Sequence, residues 1–292
     1  MNSVLTLVVD RAGASLDEAT VARARDAARS GPAIVLSPGE AVDLPCAEPP
    51  DKAAVAEALA GRPVDALVTS GRGRRKGLLV ADMDSTIVTT ETLDELAGHV
   101  GLKEHIAAIT RRAMNGEIDF ADALRERVGL LKGLPLSALE ETWRATAIMP
   151  GARELVATMR AHNATAALVS GGFSFFTGRV AAALGFDVVR SNVLLDDGAR
   201  LTGKVGEPIQ GKDAKLAALN ELAVARRLRM AATAAVGDGA NDLPMLLAAG
   251  LGVAFHPRPA VAEAARLVVR HGNLRALLFA QGYRLAEIVG AG

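Results

Sequence analysis

The chain has a single cysteine, Cys46, among 292 residues, which excludes an internal disulfide and any multi-cysteine metal site. Aromatic residues are scarce at 3%, so the core has to be built mainly from Ala, Leu and Val. An excess of charge is missing too. The 33 basic residues balance 33 acidic ones, which removes a strongly basic nucleic-acid surface as an expectation. Apolar runs are too short or too interrupted by charge to span a bilayer, and the opening MNSVLTLVVDRAG lacks the basic start and apolar length of a signal peptide. A cytoplasmic protein with no membrane and no nucleic-acid partner is the expectation. What is present in quantity is aliphatic side chain. Half of the residues are hydrophobic (50%), too much for disorder to dominate, and 292 residues are enough for one large domain plus a small one or for two modest domains.

Residues 4–9, 33–36, 41–44 and 64–68 read as strands, and 16–29 and 51–60 as helices, the first opened by Ser15 and Glu18 at capping-box spacing. That β-α-β-β-α-β order predicts a small ferredoxin-like α+β module over 1–70. Cys46 sits among prolines and reads as an unreactive side chain. The glycine-rich basic stretch SGRGRRKG predicts a linker over 71–77, and with it the place for proteolytic nicking. From 78 to 292, apolar runs at 78–81, 166–169, 233–236 and 252–255 alternate with helical patterns at 151–162, 174–184, 212–226, 242–249 and 259–266. This predicts an α/β fold with a Rossmann-like, mainly parallel sheet covered by helices on both faces. Residues 92–148 carry helical patterns with no strand between them and predict an inserted cap, a lid over the strand ends. The tail reads as a helix broken near Gly282, with Trp143 and Tyr283 as packing groups.

Ligands of such sheets bind beyond the C-terminal strand ends, and the polar clusters fall there. Asp82 and Asp84 follow the run 78–81, two residues apart on extended backbone, so both carboxylates face one side. One can attack phosphorus or bind a cation while the other handles a proton. Asp238 and Asp242 flank Gly239, Ala240 and Asn241 and suit Mg²⁺, which prefers hard oxygen donors; Asn241 or Asp242 also has the position of a cap for the helix at Leu243. Ser170-Gly171-Gly172 offers a hydroxyl and free backbone N–H groups before a helix, a phosphate cradle. Lys215 can neutralise a phosphate as a point charge, with Lys212 as its local competitor.

The order DMDST, SGGF, a lysine and GDGAND resembles the haloacid dehalogenase-like phosphatases. The longer segments ADMDSTIVTTETLDELA, RRAMNGEIDFADALRERVGLLKGLP, LVSGGFSFFTGRVAAALG and AVGDGANDLPMLLAAGLGVAF resemble the phosphoserine phosphatases among them, from about Gly77 to beyond Asn273. The resemblance implies hydrolysis of O-phospho-L-serine, the final step of serine biosynthesis. It implies Asp82 as nucleophile, Asp84 as the acid and then base, and Mg²⁺ held by Asp82, the backbone carbonyl of Asp84 and Asp238, with Asn241 and Asp242 in support. Ser170, Gly171 and Lys215 would hold the phosphoryl oxygens. Glu91 would meet the substrate ammonium, Arg127 its carboxylate, and Met114 and Phe120 would cover it. The first 70 residues resemble small ACT-like regulatory modules, with a homodimer as a possible consequence. Two other readings stay open from the sequence. One is a related phosphatase or phosphotransferase acting on phosphothreonine or phosphohomoserine. The other is a non-enzymatic amino-acid-sensing module.

Overall fold

Four Val- and Leu-rich runs near the start of the chain pair into one antiparallel sheet. In a computed structural model, which describes residues 3–114, 117–211 and 213–290, they are β1 (Ser3–Val8), β2 (Ile34–Ser37), β3 (Ala41–Cys46) and β4 (Asp65–Ser70). Their order is β2-β3-β1-β4, and every neighbouring pair is antiparallel. Helices α1 (Glu18–Ala28) and α2 (Lys52–Ala58) contribute Ala24, Ala28 and Val55 to a small core with Leu5, Leu7 and Leu44. The start of α1 differs from the expected capping box. Asp17, not Ser15, is the N-cap, and its carboxylate accepts from Thr20 N at 2.6 Å. A charged acceptor at that position satisfies an orphan amide and complements the helix dipole.

The second sheet starts with β5 (Leu78–Ala81). Its four residues are fully buried, and they alternate: Leu79 and Ala81 join the core on one face, Leu78 and Val80 the core on the other. That two-sided burial is why the strand reads as an unbroken apolar run. After β5 come α3 (Thr92–Gly98), α4 (Lys103–Met114), α5 (Phe120–Gly129) and α6 (Leu136–Ala145), which form the cap, and α7 (Ala152–Ala161). The chain continues through β6 (Thr165–Phe173), α8 (Ser174–Leu184), β7 (Val188–Asn192), a hairpin of β8 (Leu194–Asp196) and β9 (Leu201–Val205), and α9 (Ala214–Ala225). It ends with β10 (Thr233–Gly237), α10 (Leu243–Ala248), β11 (Leu251–Phe255), α11 (Pro259–Ala264), β12 (Leu267–Val269) and α12 (Ala276–Ala280). The six strands stand in the order β12-β11-β10-β5-β6-β7, all parallel. With β5 and β10 central, the loops after them meet at the same edge of the sheet.

Three features differ from the sequence expectation. β6 runs beyond the apolar stretch 166–169 and takes in Ser170-Gly171-Gly172, so these residues are the end of the strand. The hairpin, too polar to stand out as strands, is strapped to the cap: Leu201 N donates to Leu134 O and Gly133 N to Leu201 O, each at 2.8 Å. The basic stretch 71–77 is not a loose linker. Arg74 reaches across to Asp43, Thr6 and the carbonyls of Phe279 and Ala280, with its side chain 14% exposed. Around it the two sheets are joined by further buried polar contacts. Asp65 of β4 accepts from the backbone N–H groups of Arg270, His271 and Gly272, and Arg275 pairs with Glu40 at 2.8 Å. No helix among the described residues is long and apolar enough to cross a membrane.

Arg74→Ala strands a buried Asp43 carboxylate and should cost about 3–5 kcal/mol of unfolding free energy. Urea denaturation of R74A, D43N and the double variant checks this. The double variant should lose clearly less than the two single losses added together; strict additivity would mean that the pair does not interact.

Candidate active site

Asp82 is the first residue after β5, and its amide donates to Val236 O at 3.0 Å, which extends the β5–β10 register by one residue. The backbone then turns sharply, with Ser85 at φ 54° and the amides of Ile87 and Val88 both donating to Met83 O. Asp82 is buried, with its side chain 10% exposed; one carboxylate oxygen accepts from Met83 N at 2.8 Å and the other meets Lys215 Nζ at 2.7 Å. Lys215, in the first turn of α9, also donates to Asp242, whose second oxygen accepts from Gly239 N at 3.0 Å. Asp242 stands at the N-cap position of α10 but makes no side-chain cap bond, because both its oxygens are engaged in the site. Gly237 is required for this arrangement: a Cβ there would lie 2.3 Å from Asp242 Cγ.

Asp238 accepts from Thr86 Oγ1 at 3.0 Å. Carboxylate oxygens of Asp82, Asp238 and Asp242 all lie within 4.8 Å of one another, an all-oxygen donor set of the kind that holds a hard divalent cation. The Asp84 side chain is not part of that set. It accepts from Thr92 N, the first amide of α3, at 3.1 Å, and faces Gly172, where a Cβ would come within 2.9 Å of Asp84 Oδ2. Ser170 Oγ accepts from Gly172 N at 2.9 Å, and buried Asn192 donates to Gly171 O at 2.8 Å, which fixes the strand end beside the carboxylates. Phe120, at the start of α5, presses on this strand end from the cap, its Cζ 3.3 Å from where a Gly171 Cβ would be. The carboxylates are therefore enclosed between sheet and cap.

The electrostatics follow from burial. Burial and repulsion from Asp242 push Asp82 well above the ordinary carboxylate range, with Lys215 opposing. Burial and Glu91 raise Asp84 to about 7. Burial, Asp242 and Glu91 raise Asp238 to about 6. Burial works against the charge of Lys215, but Asp82 and Asp242 together hold its ammonium above the usual range. A buried Asp84 raised to about 7, beside an Asp82 carboxylate paired with the charged Lys215, can supply a proton donor and a nucleophile in one enclosure.

The remaining expected residues are distributed as follows. Asn241 lies in the short turn between Gly239 and α10, half-buried. Glu91, at the N-cap of α3, accepts from Ser85 Oγ at 2.6 Å. Arg127 of α5 is half-buried and donates to Ala123 O and Thr110 Oγ1 and not to a carboxylate; burial lowers its pKa. Met114 closes α4, and its side chain, like Lys212, lies outside the described residues. Thr86, Thr92 and Asn192 join the site without a motif of their own that marks them. Thr86 stood in the quoted DMDST run, but Asn192 has no local signal, since its role depends on β7 pairing with β6.

A family model described as haloacid dehalogenase-like hydrolase matches residues 79–247. A phosphoserine phosphatase of Mycobacterium tuberculosis is 42% identical over 218 residues, 75% of this chain and 53% of that protein, so the chain spans about half of that relative's length. A solved structure described as a probable phosphoserine phosphatase from Vibrio cholerae, unliganded form, superposes with a TM-score of 0.80 at 31% identity, covering 98% of this chain and 88% of that one. A second, described as a phospho-aspartyl intermediate analogue of phosphoserine phosphatase, gives 0.65 at 36% identity over 70% of this chain and 98% of that one.

The raised carboxylates set the pH dependence of the cation-free chain. The ordinary Asp value is 3.8, so the folded chain holds protons on Asp84 and Asp238 that the unfolded chain has released. Stability should therefore fall by on the order of several kcal/mol as pH rises from about 4 to about 7, and the raised Asp82 carboxyl adds to the fall. Urea midpoints in EDTA across this range test it. Asp84→Asn should flatten the slope; an equal slope in D84N would remove Asp84 as its source.

Proposed function

The chain belongs to the haloacid dehalogenase-like hydrolases, and within them to the phosphoserine phosphatases, and we propose that it hydrolyses O-phospho-L-serine to L-serine and phosphate. The observation that carries this reading is the pair at the end of β5: Asp82 bound to Lys215, with Asp84 raised to about 7 beside it. In the first half-reaction an Asp82 oxygen attacks phosphorus and the bond from phosphorus to the serine oxygen breaks. The Asp84 carboxyl gives its proton to the departing oxygen, leaving an aspartyl-phosphate on Asp82. In the second, the Asp84 carboxylate takes a proton from water, whose oxygen attacks the same phosphorus. The Asp82–phosphorus bond breaks, the carboxylate is restored and phosphate leaves.

Positioning and charge neutralisation dominate phosphoryl transfer. Lys215 would turn from its carboxylate partners toward the phosphoryl oxygens, with Ser170 Oγ and the Gly171 amide as neutral donors. The donor set fits Mg²⁺, with the Asp82 and Asp238 carboxylates and the Asp84 backbone carbonyl as its ligands; Asp242 and Asn241 would support that loop. When bound, Mg²⁺ would offset the negative charge that phosphate adds to the buried acids. In the cap, Glu91 and Arg127 would take the ammonium and carboxylate of the amino-acid head, and Met114 and Phe120 would cover it. The same reading gives an ACT-like structural or regulatory module over about 1–70, a catalytic domain from 78 with its cap at about 92–148, and a cytoplasmic enzyme of serine biosynthesis.

Asp82→Asn should abolish turnover, and acid-quenched mass spectrometry of the native chain should find phosphate on Asp82. Normal turnover by D82N, with the Asn verified, would sink the assignment. Arg127→Ala should lower kcat/KM for phosphoserine about tenfold to a hundredfold by removing a charge-assisted contact. Phosphoethanolamine has no carboxylate, so its efficiency should change far less. An unchanged ratio of the two efficiencies would move Arg127 out of substrate recognition.

A further inference from the structure

Away from the carboxylate enclosure, a cleft of about 330 Å³ opens where the two sheets meet. Its walls are the end of β4 with the stretch after it, the first residue of α2, and the segments around β11 and the start of β12. Five cationic side chains line it, Lys52, Arg72, Arg74, Lys76 and Arg266, and no acidic residue does. Among the described residues, only Arg74 of these five is balanced by a carboxylate, through its pair with Asp43. Lys76 donates to the carbonyls of Gly73 and Ala231, Arg266 to that of Leu247, and Lys52 and Arg72 have no acceptor for their side chains among the described residues. On a chain of zero net charge this is a local excess of four positive charges in one concavity. A second cavity, about 640 Å³, shows the contrast: Asp10 and Glu154 stand in its wall with Arg11, Arg153 and Arg275, so charge there is mixed.

We propose that the cleft between β4 and β11–β12 binds a small multivalent oxyanion of the pyrophosphate class. A concave wall of one sign concentrates counter-ions of the other, and guanidinium and ammonium groups from several segments suit several oxygens at once. The absence of an acidic wall residue argues against a zwitterion, whose ammonium would find no partner. The absence of an aromatic wall residue removes the stacking platform that a nucleobase or single strand would use. The volume sits at the small end of ligand sites and suits an ion of this size with its waters. Burial lowers the pKa of Lys76, the sign expected of an ammonium held without a counter-charge, and a bound anion would reverse that. Because the walls come from both sheets, the ion would also strengthen their docking.

The test is calorimetric titration of the full, metal-free chain with pyrophosphate; without a cation, the buried carboxylates repel the anion from the Asp82 enclosure. Saturable binding is expected. It should weaken at least about tenfold in R72A/R266A, which removes two charge-assisted contacts. Phosphoserine hydrolysis by that variant should equal that of the native chain, and D82N should bind pyrophosphate as the native chain does. Absence of saturable binding, equal affinity in R72A/R266A, or glycine binding as tightly as pyrophosphate would each overturn the proposal.

Discussion

The ammonium of Lys215 between Asp82 and Asp242 is the contact on which the arrangement of the strand ends depends. Four aspartates, at 82, 84, 238 and 242, converge with one lysine among them, so the enclosure has more negative than positive charge. Burial is the main reason that Asp84 and Asp238 sit above the ordinary range, with repulsion from Glu91 adding to it at Asp84 and from Asp242 and Glu91 at Asp238. The parallel sheet supplies the restraint that opposes this repulsion. Asp82 extends β5 and Asp238 follows β10, and these strands are neighbours at the centre of the sheet.

The cap acts on the same charges. Its two connections run antiparallel where they leave the core: Val88 bridges to Ile148, Thr89 N donates to Ala147 O and Met149 N to Ile87 O. Beyond them, α3 sets its first amide on Asp84 and its N-cap Glu91 near the same carboxylate. The amide favours ionised Asp84, while Glu91 and burial favour the proton, so the proton affinity of Asp84 is tied to where the cap lies. Phe120 on Gly171, Arg125 with Glu207 and Arg179 with Glu140 hold the cap against the core. A lid held by ion pairs that are largely solvent-exposed, at modest energy each, is suited to opening for exchange.

The parts of this molecule most legible in the sequence were those with local causes. β5 and α8 have the bounds that the apolar pattern predicts, because a strand buried on both faces and a helix ended by Gly185 carry their own signals. The polar clusters each follow an apolar run, which by itself places them at one end of a parallel sheet. What stayed hidden depends on partners distant in sequence. Asn192 matters only through β7 beside β6, and β8–β9 only through the cap loop they support. The stretch 71–77 shows the same limit: glycine and arginine there look like a linker until Asp43 and the carbonyls of α12 are brought alongside.

Net neutrality concealed the most unusual property of the chain, the separation of its charges. Acids gather at the strand ends and cations at the junction of the sheets, and α10 connects them. Asp242 precedes the first residue of α10, and Ala249, which follows its last, lines the cationic cleft. The helix spans about 9 Å at 1.5 Å per residue. Asp242 precedes its N-terminus, and at its C-terminus Arg266 donates to Leu247 O. Both ends thus agree in sign with the backbone dipole. A helix this short gains little from that agreement alone. The acidic strand ends and the cationic junction of the sheets thus stand at opposite ends of one short helix, and at the acidic end Lys215 is the cation paired with the carboxylates.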